Sequence, residues 1–267
     1  MLSGCGPRAV KITFSGEPGR LADYGLLLHR IVVDDRIDTA KLLGSRSLLD
    51  QYLAMAAHHG PESTPAQFPA KEHQQAYLIN CHNAMMLHSM IGLAVDESIP
   101  ERVPHNLGRR FEFMIDGVYR TASEVKTDVV SLAGADWRVR MALHTGRMDG
   151  PPLPRRVFLG DMLDAQLDHV TRQALRSEKV VRVDHGEIKR LLLWRGLFEI
   201  RRQLISDYER RFHTTGATML NVIFEWCNRF QRETLNSAVG YPVDVMPVDH
   251  RVNSVGVPIN VAAATMR

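Results

Sequence analysis

Apolar and polar positions along the chain are organised around one stretch, Ala76 to Ile91, AYLINCHNAMMLHSMI. Tyr77, Ala84, Leu87 and Ile91 share one helical face, while Leu78, Met85, Met86 and Met90 make most of the remaining circumference apolar. A helix that is apolar nearly all round is a buried helix. It is too short, and too polar at its centre, for a bilayer span of about 20 apolar residues, so it belongs inside a protein core. Asn80 and Asn83 are then buried amides, and each would cost roughly 1–3 kcal/mol without partners. The loops that follow must supply those partners. The two asparagines either pin loops onto the core helix or reach a ligand.

The flanking pattern predicts helices and hairpins. Leu21 to Val33 carries a helical stripe that Asp34-Asp35 breaks. Ser47 reads as the cap of a helix over Leu48 to Ala57, closed by Gly60-Pro61, with a loop from Pro61 to Pro69. Lys71 to Gln75 is the polar entry to the central helix, and Gly92 with the Pro100–Pro104 stretch marks its exit. Phe111 to Arg120 is two β-prone runs around Asp116-Gly117, the dipeptide that fits a two-residue hairpin turn. Ser123 caps a helix over Glu124 to Leu132. His144 to Pro154 holds too many glycines and prolines for regular structure. Asp161 caps a helix with Leu163, Leu167, Val170, Ala174 and Leu175 inward, and Val180–Asp184 with Glu187–Leu193 reads as a second hairpin. Leu197–Phe212 and Thr218–Leu235 are long amphipathic patterns, the latter burying Leu220, Ile223, Phe224, Cys227 and Phe230. Val243–Val248, flanked and interrupted by Pro242 and Pro247, suits an edge strand. Without strand–helix alternation, this order argues an α+β fold. The expected architecture is a mostly helical single domain over 21–253, with a small antiparallel sheet of hairpins packed on the central buried helix. Residues 254–267 form a loose tail.

Composition narrows the function classes. The formal charge of the 267-residue chain is +3, and its arginine doublets are scattered without interleaved aromatics, which argues against nucleic acid as a partner. The three cysteines have neither the number nor the spacing of a disulfide framework or zinc site. Cys81 and Cys227 sit in apolar helical patterns. Cys5 differs, because Leu2-Ser3-Gly4-Cys5 is similar to the cleavage box of bacterial lipoproteins, where the cysteine is lipidated. Such a signal needs about 7–15 apolar residues upstream, and here only Met1 and Leu2 precede it. Two readings follow. If the start codon lies further upstream, 1–20 is a lipoprotein-signal remnant and the protein a periplasmic, membrane-anchored lipoprotein whose one membrane contact is Cys5; otherwise the box is chance and the protein cytoplasmic.

The segments AYLINCHNA, FEFMIDGVYR, DWRVRMALHTGRMDGPPL, LDAQLDHVTRQAL and DHRVN, in that order from about Leu26 to Asn253, resemble the family catalogued as domain of unknown function 547. Many members resembling it carry a glutamate–histidine pair after the first hairpin, a histidine before the proline-rich loop and cysteines within it. A thiol beside an imidazole is what nucleophilic acyl chemistry needs, and a papain-like or transglutaminase-like ancestry follows only by analogy. In this chain those positions fall on Lys126-Thr127, Arg140, Thr145 and Gly150. The resemblance therefore implies a catalytically degenerate binding domain, with no cofactor, taking a small molecule or peptide. Asn80, Asn83, Arg140, His144, Arg147, Asp149 and Asp249 are its expected ligand-binding residues, with Arg140 and Arg147 contacting a small anionic group. The alternative is a cysteine- or metal-dependent hydrolase or acyl-transfer enzyme with relocated residues, drawn from Cys81, His82, His144 and His250. Adjacent helical residues point about 100° apart, so Cys81 and His82 cannot serve each other; His144 or Asp249-His250 would have to complete the set. A metal site from His82, His144, His250 and Asp249 is not demanded by their spacing. In its plainer role, Asp249 to Asn253 is a closing clamp on turn backbones beside the central helix.

Overall fold

The computed structural model describes residues 10–14, 18–96 and 102–255. Cys5, on which the lipid-anchor reading rests, and the tail from 256 lie outside them. Strand β1 (Val10–Ile12) precedes helix α1 (Leu21–Ile31), which buries Tyr24, Leu27, Leu28 and Ile31. Asp34 and Asp35 do more than end the helical pattern. Both adopt positive φ, 46° and 59°, and join β2 (Val32–Val33) to β3 (Arg36–Asp38) as a tight hairpin; short carboxylate side chains tolerate that backbone region. Asp38 then caps α2 (Thr39–Gly44) by accepting from the Lys41 N–H at 3.0 Å. Helix α3 (Arg46–Ala56) starts after Ser45 rather than after Ser47, and the Ser45 hydroxyl accepts from Arg30 at 3.0 Å.

The central helix α4 (Lys71–Asp96) is 26 residues long and runs through Gly92 instead of ending there. A Cβ at position 92 would stand 2.7 Å from the Phe111 ring. Glycine is used for close approach of an aromatic ring, at a cost in helix propensity of about 1 kcal/mol. After α5 (Leu107–Arg110) come β4 (Phe111–Ile115) and β5 (Val118–Thr121), the predicted hairpin, with Asp116 and Gly117 at φ 51° and 79°. Its tip docks on the end of α3: the Asp116 and Gly117 amides donate to the Ala56 and Ala57 carbonyls at 2.8 and 2.9 Å. The Asp116 carboxylate accepts from the Glu62 and Ser63 amides at 2.7 and 3.0 Å. Helix α6 (Ala122–Ala133) is capped by Thr121, not Ser123, through a reciprocal box with Glu124.

Helices α7 (Val139–Ala142) and α8 (Leu163–Arg176) bracket the proline-rich segment. Asp161 does not cap α8. It lies in the 3-10 turn Gly160–Met162, its carboxylate 3.1 Å from His73 Nε2. Strands β6 (Val181–Asp184) and β7 (Arg190–Leu193) form the second hairpin. The two long C-terminal patterns are each broken. α9 (Arg195–Glu199) and α10 (Arg201–Phe212) separate at Ile200. α11 (Met219–Phe224) and α12 (Arg229–Asn236) separate because Asn228 starts a new helix in a capping box with Gln231. Phe230, expected inside, is swung out by this restart and is 75% exposed, and Cys227 is only partly buried. Strand β8 (Val243–Val245) ends before Met246 and Pro247, and β9 (Ser254–Val255) closes the described chain.

The fold is α+β and mostly helical. Among the described residues three small sheets have the orders β1-β4-β5, β2-β3-β9 and β6-β7-β8. Each is a hairpin joined by a third strand running parallel to its neighbour, so the sheets are mixed rather than purely antiparallel. β8 lies at an edge, as its prolines require. One hydrophobic core runs from Tyr24 to Ala238, with α4 at its centre against α3, α6 and the β4-β5 hairpin. Among the described residues no helix is long and apolar enough to cross a membrane.

Candidate functional site

Three polar side chains in the middle of α4 determine how the following loops lie. Asn80 reads the backbone of Phe158 from both sides: Nδ2 donates to its carbonyl at 2.8 Å and Oδ1 accepts from its N–H at 2.9 Å. Asn83 does the same one turn on, donating to the Ala142 carbonyl and accepting from the His144 N–H, both at 2.9 Å. His82 lies between two carbonyls, with Nδ1 2.9 Å from Ala122 O and Nε2 3.1 Å from His144 O. All three are at most 4% exposed. The loops thus meet the helix through a side chain that imitates a neighbouring strand, which is how a buried loop keeps its backbone satisfied.

Neutral imidazole donates through one nitrogen only, so His82 can satisfy one of its two carbonyls unless it is protonated. Burial nevertheless pushes its pKa down to about 4. His144 is more extreme. Its side chain is fully buried, neither ring nitrogen has a hydrogen-bond partner among the described residues, and burial pushes its pKa down to about 3. It faces the Pro151 carbonyl without the alignment of a hydrogen bond. Both rings are neutral core groups at pH 7, sealed from solvent.

Cys81 points elsewhere. Its thiol is fully buried, 3.8 Å from the Tyr52 hydroxyl, and burial pushes its pKa up to about 12. It makes no hydrogen bond with His144 or His250. A thiol of that acidity is an inert one at neutral pH.

The proline-rich loop carries the ionic groups. Arg147 donates from Nε and Nη2 to the Asp149 carboxylate at 2.8 and 3.4 Å. Asp149 is 7% exposed, and its burial raises its pKa despite that guanidinium. Beside this pair lie Lys126 of α6 and Arg140 of α7. Lys126 has an open surface but is crowded by protein atoms; that crowding first, then Arg140 and Arg147, holds its ammonium below the usual lysine range, while Glu199 of α9 opposes them. Two cations and one acid therefore converge beside the Arg147–Asp149 pair. Gly150, at φ 118°, sits beneath the Trp194 indole, whose Nε1 would be 3.0 Å from a Cβ placed there.

The segment 249–253 closes over the loop as the clamp reading requires. Asn253 is 1% exposed; its N–H donates to Gly146 O at 2.9 Å and its side chain meets Asp35 O and Lys179 at 3.4 Å. Arg147 pairs with Val252 across an antiparallel bridge. Asp249 turns back on its own turn, accepting from the Arg251 amide at 3.0 Å and from its guanidinium at 2.5 Å. Among the described residues no group of three or more His, Cys, Asp or Glu side chains could hold a metal ion, and His82, His144, His250 and Asp249 form no such group.

Residues 65–174, which span α4, the β4-β5 hairpin, α6, the proline-rich loop and nearly all of α8, match the family model described as protein of unknown function, DUF547. The chain carries a DUF547 domain. No curated protein and no solved structure matches the chain. The DUF547 match contains all three anchoring side chains of α4 and also Thr145 and Gly150 of the proline-rich loop. Outside it stand the clamp at 249–253 and the Trp194 that covers Gly150. Lys126 is legible only as a family motif position and Glu199 not at all, because the approach of Arg140 and Glu199 to Lys126 is made by packing of α6, α7 and α9 and has no local signature.

Proposed function

We propose that this DUF547 domain is a noncatalytic binding domain that takes an anionic small molecule or peptide at the surface formed by Lys126, Arg140 and Arg147. The observation that carries the reading is the convergence of these cations in a chain whose Cys81 thiol is sealed against tyrosines. The Arg147 charge is offset by Asp149, so Arg140 and Lys126 are the groups left to face a ligand, with Thr145 and the Trp194 indole as neutral neighbours. Charge-assisted hydrogen bonds to such cations are worth about 1.5–3 kcal/mol each. Hexaglutamate, used as the probe in fluorescence anisotropy at low salt, should bind, weaken about tenfold or more in Arg140→Ala, and weaken further with added salt. Purified protein should not turn over p-nitrophenyl acetate or a fluorogenic peptide above the buffer rate. Turnover that disappears in His144→Ala or Arg147→Ala would overturn the proposal, as would hexaglutamate binding that ignores Arg140→Ala.

A further inference from the structure

A second basic surface joins Arg102, within the DUF547 match, to Arg182 and residues 247–251 beyond it, three segments remote in sequence. A cleft of about 530 Å³ is lined by Arg102, Arg182 on β6, and the run Pro247 to Arg251. Its floor is fixed by backbone pairing: Arg102 bridges Arg251, the Val103 N–H donates to His250 O at 2.6 Å, and the Met148 N–H donates to Arg251 O at 2.8 Å. The charges are lopsided. Asp249 is the lining carboxylate, and it is already taken by the Arg251 guanidinium on two oxygens. Asp184, on the same face of β6 as Arg182, is held by Arg190 at 3.1 Å, and Arg182 adds only the smaller part of its pKa lowering. The Arg102 and Arg182 guanidiniums have no hydrogen-bond or ion-pair partner among the described residues. Two guanidiniums without a hydrogen-bond or ion-pair partner among the described residues therefore line one cleft, together with His250.

We infer that this cleft binds a phosphate monoester, its dianionic phosphate held between Arg102 and Arg182 and its organic part in the remaining volume. A monocarboxylate has two oxygens, which one guanidinium saturates; a tetrahedral dianion has three terminal oxygens and can engage both forks and the imidazole. Its charge of about −1.5 to −2 at pH 7 matches two arginines that have no partner among the described residues. The side chains involved differ from those of the Lys126–Arg140 surface, so the inference stands or falls separately from that proposal.

Isothermal titration of the full chain with phenyl phosphate, and with benzoate as the monoanionic match, tests it. Phenyl phosphate should bind at least tenfold more tightly than benzoate. Arg182→Ala and Arg102→Ala, both at exposed positions, should each weaken phenyl phosphate at least tenfold, whereas Arg140→Ala should leave it within twofold. Arg182→Lys should recover only part of the loss, because an ammonium keeps the charge without the fork. Absence of binding at millimolar phenyl phosphate, equal affinity for benzoate, or insensitivity to Arg182→Ala would overturn the inference. Loss of binding in Arg140→Ala with none in Arg182→Ala would place the phosphate at the other surface and equally overturn it.

Discussion

Replacing Asn83 by alanine isolates what the polar centre of α4 does. Two hydrogen bonds vanish, and they leave the Ala142 carbonyl and the His144 N–H buried and unpaired. An orphaned buried group costs about 1–3 kcal/mol, so the pair sums to about 2–6 kcal/mol before any relaxation. Asn80 makes the same two bonds to Phe158, but it lines a pocket of about 240 Å³ through which water can reach the freed groups. Its loss should cost about 1–3 kcal/mol, near the value of one unpaired group. Equilibrium urea unfolding followed by tryptophan fluorescence gives both numbers from the midpoint and slope. Asn83→Asp adds a control: it keeps an acceptor for the His144 N–H but sets a carboxylate against the Ala142 carbonyl, so it should remain clearly destabilised at pH 7. A loss below about 1 kcal/mol for Asn83→Ala, or a smaller loss than for Asn80→Ala, would refute the reasoning that this amide holds a buried loop.

Acid should weaken the fold through its buried imidazoles. Burial depresses the folded-state pKa of His82 and His144 to about 4 and about 3, below the ordinary 6.5. The unfolded chain therefore takes up protons that the folded chain refuses as pH falls below 6.5, and stability should drop progressively toward pH 4, by on the order of 3 kcal/mol per histidine; unfolding free energies that stay flat from pH 7 to pH 5 would contradict this. Asp116→Ala removes the carboxylate bonds to the Glu62 and Ser63 amides and puts alanine at φ 51°, which should cost about 2–3 kcal/mol by thermal or urea unfolding. Gly92→Ala should destabilise despite alanine's higher helix propensity, because its Cβ meets the Phe111 ring at 2.7 Å. Iodoacetamide should label Cys81 only on unfolding, since its thiol is sealed and its pKa is pushed up to about 12; peptide mapping of native and urea-treated protein gives the comparison.

The sequence shows the central helix clearly, because an all-round apolar pattern leaves few physical solutions, and it shows that Asn80 and Asn83 need buried partners without deciding between loop backbone and a ligand. Asp116-Gly117 is legible for the same reason: only a tight turn suits that pair between two β-prone runs. Phe230 and the broken C-terminal helices are not, since a capping box at Asn228 interrupts an apolar period that would otherwise continue to Leu235. Gly92 misleads because glycine serves two ends, chain termination and close packing, and the Phe111 ring that decides between them arrives from a different element. The parallel strand in each sheet comes from tens to hundreds of residues away, beyond any local pattern. The same distance hides the basic surfaces: Lys126 meets Arg140 and Arg147, and Arg182 meets Arg102 and His250, through packing alone. The sequence names Arg140 as a candidate by its position against the family's motifs and Arg147 by its place in the proline-rich loop, whereas Cys81 and His82 as reacting groups depend on burial and direction, which side-chain identity does not reveal.

The central claim is that α4 makes the proline-rich loop part of the core by gripping its backbone. Native-state hydrogen exchange at the His144 and Phe158 amides tests this most directly, because those N–H groups are donated to Asn83 and Asn80 rather than to water. Both amides should exchange as slowly as the amides in the middle of α4, through unfolding of the whole chain. Exchange at the rate of an open loop, with the α4 amides still protected, would contradict it.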